Sequence, residues 1–272
     1  MTGPLLTRKV HDALRAAARA DRGTVECSLD LERTRVTVSV DFDGWAFAGQ
    51  RFTHLTRCKD RTIYHWTGSE FEPVARFTTS LTKLVPTDWG PPTFEIDGIK
   101  MLPTARVSPY ADAERKVALI EPRGKRILDT CGGLGYFAAH CLRGHAKEVA
   151  SYEKSADVLW LRSLNPWSPS TAPPLTLTNA DAVVAVAALP GDSFDAALHD
   201  PPRFGIAGEL YSQSFYGELA RVLKRGAPLF HYTGAPNSVS AGRDLVDEVS
   251  QRLRLAGFKT VPNLDGVLAR KK

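Results

Sequence analysis

The sequence predicts an α/β fold: an open, mostly parallel sheet of the nucleotide-binding kind in the C-terminal part of the chain, preceded by a small α+β module. Three observations lead to it. Residues 126–136 read as an apolar strand, Arg126-Ile127-Leu128-Asp129, that runs into the turn Thr130-Cys131-Gly132-Gly133-Leu134-Gly135 and then into an apolar helix. Three further apolar runs follow in order, and each ends in a polar turn carrying an acid: Glu153, Asp181 and Asp200. Nearer the N-terminus the apolar pattern alternates, as half-buried strands require.

In an open α/β sheet a nucleotide-like ligand sits at such a strand–turn–helix junction, because the glycines let the backbone approach it and the helix start offers free N–H groups. Alone, a turn of this kind is weak evidence. Residues 149–152 form the second strand and end at Glu153, roughly 20 residues past the glycines, where an acid takes the ribose hydroxyls. Residues 175–178 form the third strand, followed by Asn179-Ala180-Asp181, and residues 194–199 the fourth, which runs into Asp200-Pro201-Pro202-Arg203-Phe204. Helices are expected over 135–143, 155–164 and 182–189, the second broken by Asn165-Pro166-Trp167 because a residue before proline is pushed out of the helical region. An amphipathic helix over 210–223, a fifth strand over 227–232, a helix over 243–256 and a strand pair at 258–261 and 266–269 complete the domain.

With these motifs in place, the chain resembles the class I S-adenosylmethionine-dependent methyltransferases. Residues 129–135 look like their first motif, Glu153 like their ribose-binding acid, Asp181 like their adenine-binding residue and Asp200-Pro201-Pro202 like their acceptor-side motif. More narrowly, His199-Asp200-Pro201-Pro202-Arg203-Phe204, with Gly208-Glu209-Leu210-Tyr211-Ser212 and Leu164-Asn165-Pro166-Trp167-Ser168, is similar to a largely archaeal-type methyltransferase group. The resemblance implies a Rossmann-like domain with a mostly parallel seven-stranded sheet ending in an antiparallel hairpin, and S-adenosylmethionine as cofactor. It places Asp129, Cys131, Gly133, Gly135, Glu153 and Asp181 on the cofactor, and Asp200, Pro201, Arg203 and Phe204 on the acceptor. Cys131 departs from the family pattern, standing where the first glycine of DxGxGxG usually stands, so that position must accept a negative φ. Asp181 has a second reading as the cap of the following helix and Asp129 one as a turn cap, while Trp167 reads either as a cover over the cofactor or acceptor pocket or as a loop anchor.

Methyl transfer is an in-line displacement, so such an enzyme mainly aligns an acceptor lone pair, excludes water and takes up a proton where one is lost. In amine methyltransferases with an Asp/Asn-Pro-Pro-aromatic motif, the carboxylate or amide and a following carbonyl accept hydrogen bonds from the amine. Asp200 and the Pro201 carbonyl are expected to do the same, on a backbone stiffened by two prolines. Arg203 stands where those enzymes carry Tyr or Phe, with Phe204 one position later. A cytosine-C5 mechanism needs a thiolate nearby, and no cysteine follows Cys141, which points to N- or O-methylation unless Cys131 is recruited. His199 reads either as a base or as a structural residue, and His231 and Tyr232 as strand-end residues able to face the acceptor. The expected function is N-methylation of a base in RNA. The alternatives are methylation of a small molecule, a spermidine-synthase-like aminopropyl transfer, disfavoured because Asp200 is the lone acid of its motif, and a non-catalytic cofactor-binding protein.

Composition bounds these readings. The chain has 272 residues, 43% hydrophobic and 24% charged, enough for a substantial core. No apolar run is long enough to span a bilayer and the N-terminus lacks a signal-peptide pattern, so a cytoplasmic protein with no membrane partner is expected. Cys27, Cys58, Cys131 and Cys141 show no CxxC spacing, which suggests reduced thiols and neither a metal site nor a disulfide framework. The net charge of +5 suits a polyanionic partner such as RNA and equally suits simple solubility. Self-association is left open.

The division is expected at residues 1–95, a substrate-selecting or interaction module, and 96–272, the catalytic domain. In the first part, residues 5–20 have helical apolar spacing, residues 36–40 alternate, and further strands are expected at 51–57, 62–66, 74–77 and 94–99. Aromatic and basic residues interleave there, including Trp45, Arg51, Phe52, Tyr64 and Trp66. They suit either stacking on bases with phosphate contacts or a plain strand core with a solvated face.

Overall fold

The computed structural model describes residues 3–234 and 245–272. The chain divides into two compact units, one comprising the described residues up to Tyr110 with Trp160–Trp167, the other Ala111–Leu159 with Ser168–Lys272. The boundary expected between residues 95 and 96 thus falls after Tyr110. Residues 160–167, expected in the catalytic domain, pack with the first unit through Trp167, whose Nε1–H donates to the Leu31 carbonyl at 2.9 Å, and through Trp160, whose ring lies under the Arg76 guanidinium. Trp167 is therefore a loop anchor.

The first unit begins with β1 (Leu5–Leu6) and α1 (Arg8–Arg19), where a single helix over 5–20 was expected. Thr7 separates them by capping α1, its hydroxyl accepting from the Val10 N–H. Then come β2 (Thr24–Cys27), β3 (Val36–Val40), β4 (Gly44–Phe47), β5 (Gln50–Thr53), β6 (Tyr64–Trp66), β7 (Phe71–Pro73), β8 (Ala75–Phe77), β9 (Leu81–Val85), β10 (Thr93–Ile96) and β11 (Ile99–Lys100). They form antiparallel sheets in the orders β1-β6-β7, β2-β3-β4-β5 and β11-β10-β9-β8. Val10, Leu14 and Ala17 of α1 are buried in one cluster with Val38, Trp45, Phe52 and Tyr64. Trp45 stacks on Phe52 at 4.3 Å between ring centroids, and both are almost wholly buried. These rings cannot meet a nucleic-acid base, and Arg51 and Arg61 are paired with Asp41 and Glu95. The strand-core reading holds for Trp45 and Phe52.

The second unit carries a seven-stranded sheet. After α2 (Pro109–Ala118) come β12 (Arg126–Asp129), α3 (Tyr136–Arg143), β13 (Glu148–Glu153), α4 (Ala156–Leu164, which from Trp160 on belongs to the first unit), β14 (Leu175–Asn179), α5 (Ala182–Ala187) and β15 (Ala196–His199). A 3₁₀ turn (Gly208–Tyr211), α6 (Gln213–Val222), β16 (Pro228–Tyr232), α7 (Leu245–Leu255), β17 (Phe258–Asn263) and β18 (Gly266–Lys271) follow. Residues 243 and 244 of the last expected helix lie outside the described residues. The strand order is β14-β13-β12-β15-β16-β18-β17, and β18 alone runs against the rest. The chain leaves β12 toward β13 and β14, then returns to the other side of β12 as β15. The carboxyl ends of β12 and β15 therefore flank the point where the winding reverses, which is where open α/β sheets bind ligands. Ile127, Leu128, Val149, Ala197 and Leu198 are buried, as strands covered on both faces demand.

The last hairpin is fitted to β16 through one residue. A Cβ on Gly266 would stand 2.2 Å from the His231 carbonyl oxygen, a backbone atom that cannot move without breaking the β16–β18 ladder. Gly266→Ala should therefore destabilise the protein by on the order of 2 kcal/mol or more, read as a lowered midpoint in thermal or urea unfolding; an unchanged midpoint would show that the hairpin can shift freely.

Candidate active site

The glycine turn is locked to the end of β13. Gly132 N–H donates to the Tyr152 carbonyl at 2.7 Å, and Gly133 N–H to Glu153 Oε2 at 2.9 Å, while Glu153 Oε1 accepts from the Ser155 N–H at 2.8 Å. Gly133 and Gly135 take φ of 48° and 83°, the left-handed region that suits glycine, and Gly135 is the residue from which α3 starts. Cys131 is absent from the positive-φ residues, so the departure from the family pattern is absorbed at no backbone cost. Its thiol is pushed well up by burial and then by the Glu153 carboxylate. Asp129, fully buried at the end of β12, accepts a hydrogen bond from the Ser151 hydroxyl at 2.7 Å.

Asp181 follows its second reading. It caps α5, its Oδ1 accepting from the Val183 N–H at 2.9 Å, and its Oδ2 lies 2.7 Å from Lys154 Nζ. The lysine holds its carboxyl below the usual range. An adenine contact of the kind the resemblance implies would have to share a carboxylate already engaged on both oxygens.

On the other side of β12, the loop after β15 is tied down at several points. Tyr211 donates its hydroxyl hydrogen to the Pro202 carbonyl at 3.0 Å. The ring nitrogen Nε2 of His199 lies 3.0 Å from the Leu210 carbonyl, which can only accept, so Nε2 carries the proton and Nδ1 accepts from the Thr130 hydroxyl at 2.7 Å. Burial takes the His199 pKa down to about 4. His231 is arranged alike, donating from Nδ1 to the Tyr232 carbonyl and accepting from the Tyr216 hydroxyl at Nε2, each at 2.8 Å. Both imidazoles are neutral structural links with no free nitrogen, and the reading of His199 as a base fails on that ground. Pro201 is buried, while Arg203 and Phe204 are exposed.

Asp200 stands where this loop begins. In register, His199 pairs with His231, so Asp200 and Tyr232, each one residue further, lie at the same level of adjacent parallel strands. Asp200 keeps part of its surface open but has dense protein around it, and burial raises its pKa to about 7 against the pull of Lys116; Asp112, Asp265 and Asp129 push the same way as burial. Lys116 is the residue the sequence concealed. It sits on α2, is 1% exposed, and places Nζ 2.6 Å from Asp112 Oδ2, 3.5 Å from Asp265 Oδ2 and 3.9 Å from the centre of the Tyr232 ring. Burial works against its charge, yet Asp200, Asp112 and Asp265 outweigh it and hold its pKa above the ordinary value. The Asp112–Lys116 spacing of four residues was the available signal, but on a helix such pairs usually lie on the solvated face.

The structure thus brings Asp129, Cys131, Gly133, Gly135 and Glu153 to one side of the reversal point, with Asp200 on the other beside Asp112, Lys116, Asp265 and Tyr232. Two clefts, of about 520 Å³ and 440 Å³, lie elsewhere: one beside the start of α1 in the first unit, the other at the amino ends of the parallel strands. Neither is lined by these residues.

The uncharacterized protein MJ1233 of Methanocaldococcus jannaschii is 41% identical over 208 residues, 76% of this chain and 71% of that protein. The chain belongs to the same family as MJ1233. No protein-family model matches the sequence. Among solved structures, a spermidine synthase in complex with the transition-state analogue AdoDATO superposes with a TM-score of 0.59 at 17% identity, covering 73% of each chain. The spermidine synthase of Thermotoga maritima gives 0.56 at 15% identity over 73% of this chain and 72% of that one. MnmC2 of Aquifex aeolicus gives 0.52 at 17% identity over 70% of each. These likenesses show an α/β fold shared with the spermidine synthases and MnmC2.

The raised pKa of Asp200 has a measurable consequence. An acid whose folded pKa lies above its unfolded value costs stability as pH rises from about 4 to about 7, because the unfolded chain ionises first. Asp200→Asn should therefore raise the unfolding midpoint at pH 8 and lose that advantage near pH 4. A variant destabilised equally at both pH values would contradict the placement of this carboxyl.

Proposed function

We propose that this chain is an S-adenosylmethionine-dependent methyltransferase acting on a nitrogen, and that its acceptor is a base in RNA. The observation that carries the reading is the position of Asp200, across the reversal point from the glycine turn, with a pKa of about 7. A group that titrates near the working pH can both accept a hydrogen bond and take up a proton, which is what transfer to an amine requires.

The cofactor side suits an uncharged ribose better than a phosphate, because an acid, Glu153, holds the loop N–H that would otherwise meet an anion. Glu153 is an acceptor-only carboxylate at the end of β13, the chemistry a ribose diol calls for. Asp129, Gly133 and Gly135 would hold the amino-acid end by charge and by close backbone approach. When bound, the cofactor supplies an electrophilic methyl carbon. Asp200 then orients the acceptor N–H and receives its proton, and Pro201-Pro202, tethered by Tyr211, keeps the carboxylate in place. Arg203 and Phe204, exposed on the same loop, offer a phosphate partner and a stacking face; with the net charge of +5 they support RNA as the acceptor.

A second reading, aminopropyl transfer, is favoured by one observation: Asp200 is not the lone acid, since Asp112 and Asp265 join it from α2 and the β17–β18 turn. The two readings separate by product. With purified protein, Glu153→Ala should weaken S-adenosylmethionine binding by about tenfold or more in calorimetry, while Asp200→Ala should bind it normally and lose at least about 100-fold in turnover. Normal turnover in the second variant would reject the site. Nucleosides from cells lacking the protein should miss one methylated species by mass spectrometry; intact nucleosides with altered polyamines would favour the second reading.

A further inference from the structure

Lys116 occupies an unusual position for a lysine four residues after an aspartate on a helix. Its ammonium is turned inward and held by two carboxylates and the face of an aromatic ring: Asp112 Oδ2 at 2.6 Å, Asp265 Oδ2 at 3.5 Å and the Tyr232 ring at 3.9 Å. Carboxylates combined with an aromatic face are the elements by which a protein recognises an ammonium ion. The seat is built from three separate elements, α2, the β17–β18 turn and the end of β16. Asp265 is itself fixed, its carbonyl accepting from both the N–H and the hydroxyl of Thr233 at 3.2 Å.

We infer that Lys116 determines acceptor specificity: its own ammonium fills the seat formed by Asp112, Asp265 and Tyr232, so the wall beside Asp200 receives a neutral nitrogen and refuses an alkylammonium or polyamine. The step from seat to specificity rests on the acceptor-side reading of Asp200 given above; the occupancy of the seat does not. A second ammonium arriving here would have to displace a lysine that is covalently part of the wall, at an effective concentration no free amine reaches. Removing the lysine side chain reverses the situation. It leaves buried carboxylates without their cation, which is strongly unfavourable, and opens a path for an amine, because the Asp112 and Asp265 side chains keep 11% and 21% of their surface exposed.

Thermal midpoint and calorimetric binding are followed on the whole 272-residue chain with n-butylamine and putrescine as probes. Lys116→Ala should melt lower than the wild type and should be raised again by either amine, in proportion to the logarithm of its concentration once binding is saturating. It should bind putrescine at least about tenfold more tightly than the wild type does, a difference of about 1.4 kcal/mol. Lys116→Arg should remain amine-insensitive, since it still fills the seat with a cation. If Lys116→Ala does not fold, Lys116→Ala/Asp112→Asn removes one charge of each sign and carries the same expectation for amine binding. Wild-type protein that binds putrescine as tightly as Lys116→Ala, or an alanine variant that gains no amine binding, would overturn the inference. Amine rescue in a protein that methylates no RNA would overturn the proposed acceptor while leaving the occupied seat standing.

Discussion

The second unit depends on the pairing of one short strand with two partners. Ile127, Leu128 and Asp129 of β12 pair in parallel with β13 on one side and with β15 on the other. Because parallel strands must be joined by crossovers, this places the turns after β12, β13 and β15 at one edge of the sheet, whatever lies between them in sequence. The glycine turn, Glu153 and Asp200 become neighbours through that constraint alone. Nothing in their local sequences requires it.

At that edge the polar groups are arranged in two distinct ways. On the β13 side they satisfy each other through the backbone: Glu153 binds two N–H groups and Asp181 caps a helix, so the loop has a fixed shape before any ligand arrives. On the β16 side charge is concentrated. Asp200, Asp112 and Asp265 share one buried ammonium, and the shortfall of positive charge, added to burial, keeps the Asp200 carboxyl titrating near neutrality. Two neutral, fully bonded histidines lie directly behind and contribute no further charge. A carboxyl whose pKa is raised in this way costs stability once the pH rises above its unfolded value.

The first unit shows how the same composition can serve a different end. Trp45, Phe52, Phe71 and Trp66 pack ring to ring within 4.3–6.0 Å and form the centre of a small core from short strands and one helix. With few residues per strand, large rings are the economical way to bury apolar surface. For these buried rings the alternation with basic residues follows from a strand with one face inward.

Local pattern determined much of this protein. The glycine turn, the four strands that end in polar turns, the hairpin at the C-terminus and the cap at Asp181 are all legible, because each is set by residues within a few positions of one another. Boundaries slipped where a polar residue interrupts an apolar run, as at Thr7, and α2 was not expected at all, since Asp112 and Lys116 fall where its inward face should be apolar. Tertiary structure alone decided the direction of Lys116, the company Asp200 keeps and the assignment of residues 160–167 to the first unit. The reason is physical: the energy of a buried charge depends on which other charges surround it, and those come from α2, β16 and the last turn, whose separation along the chain carries no periodic signal.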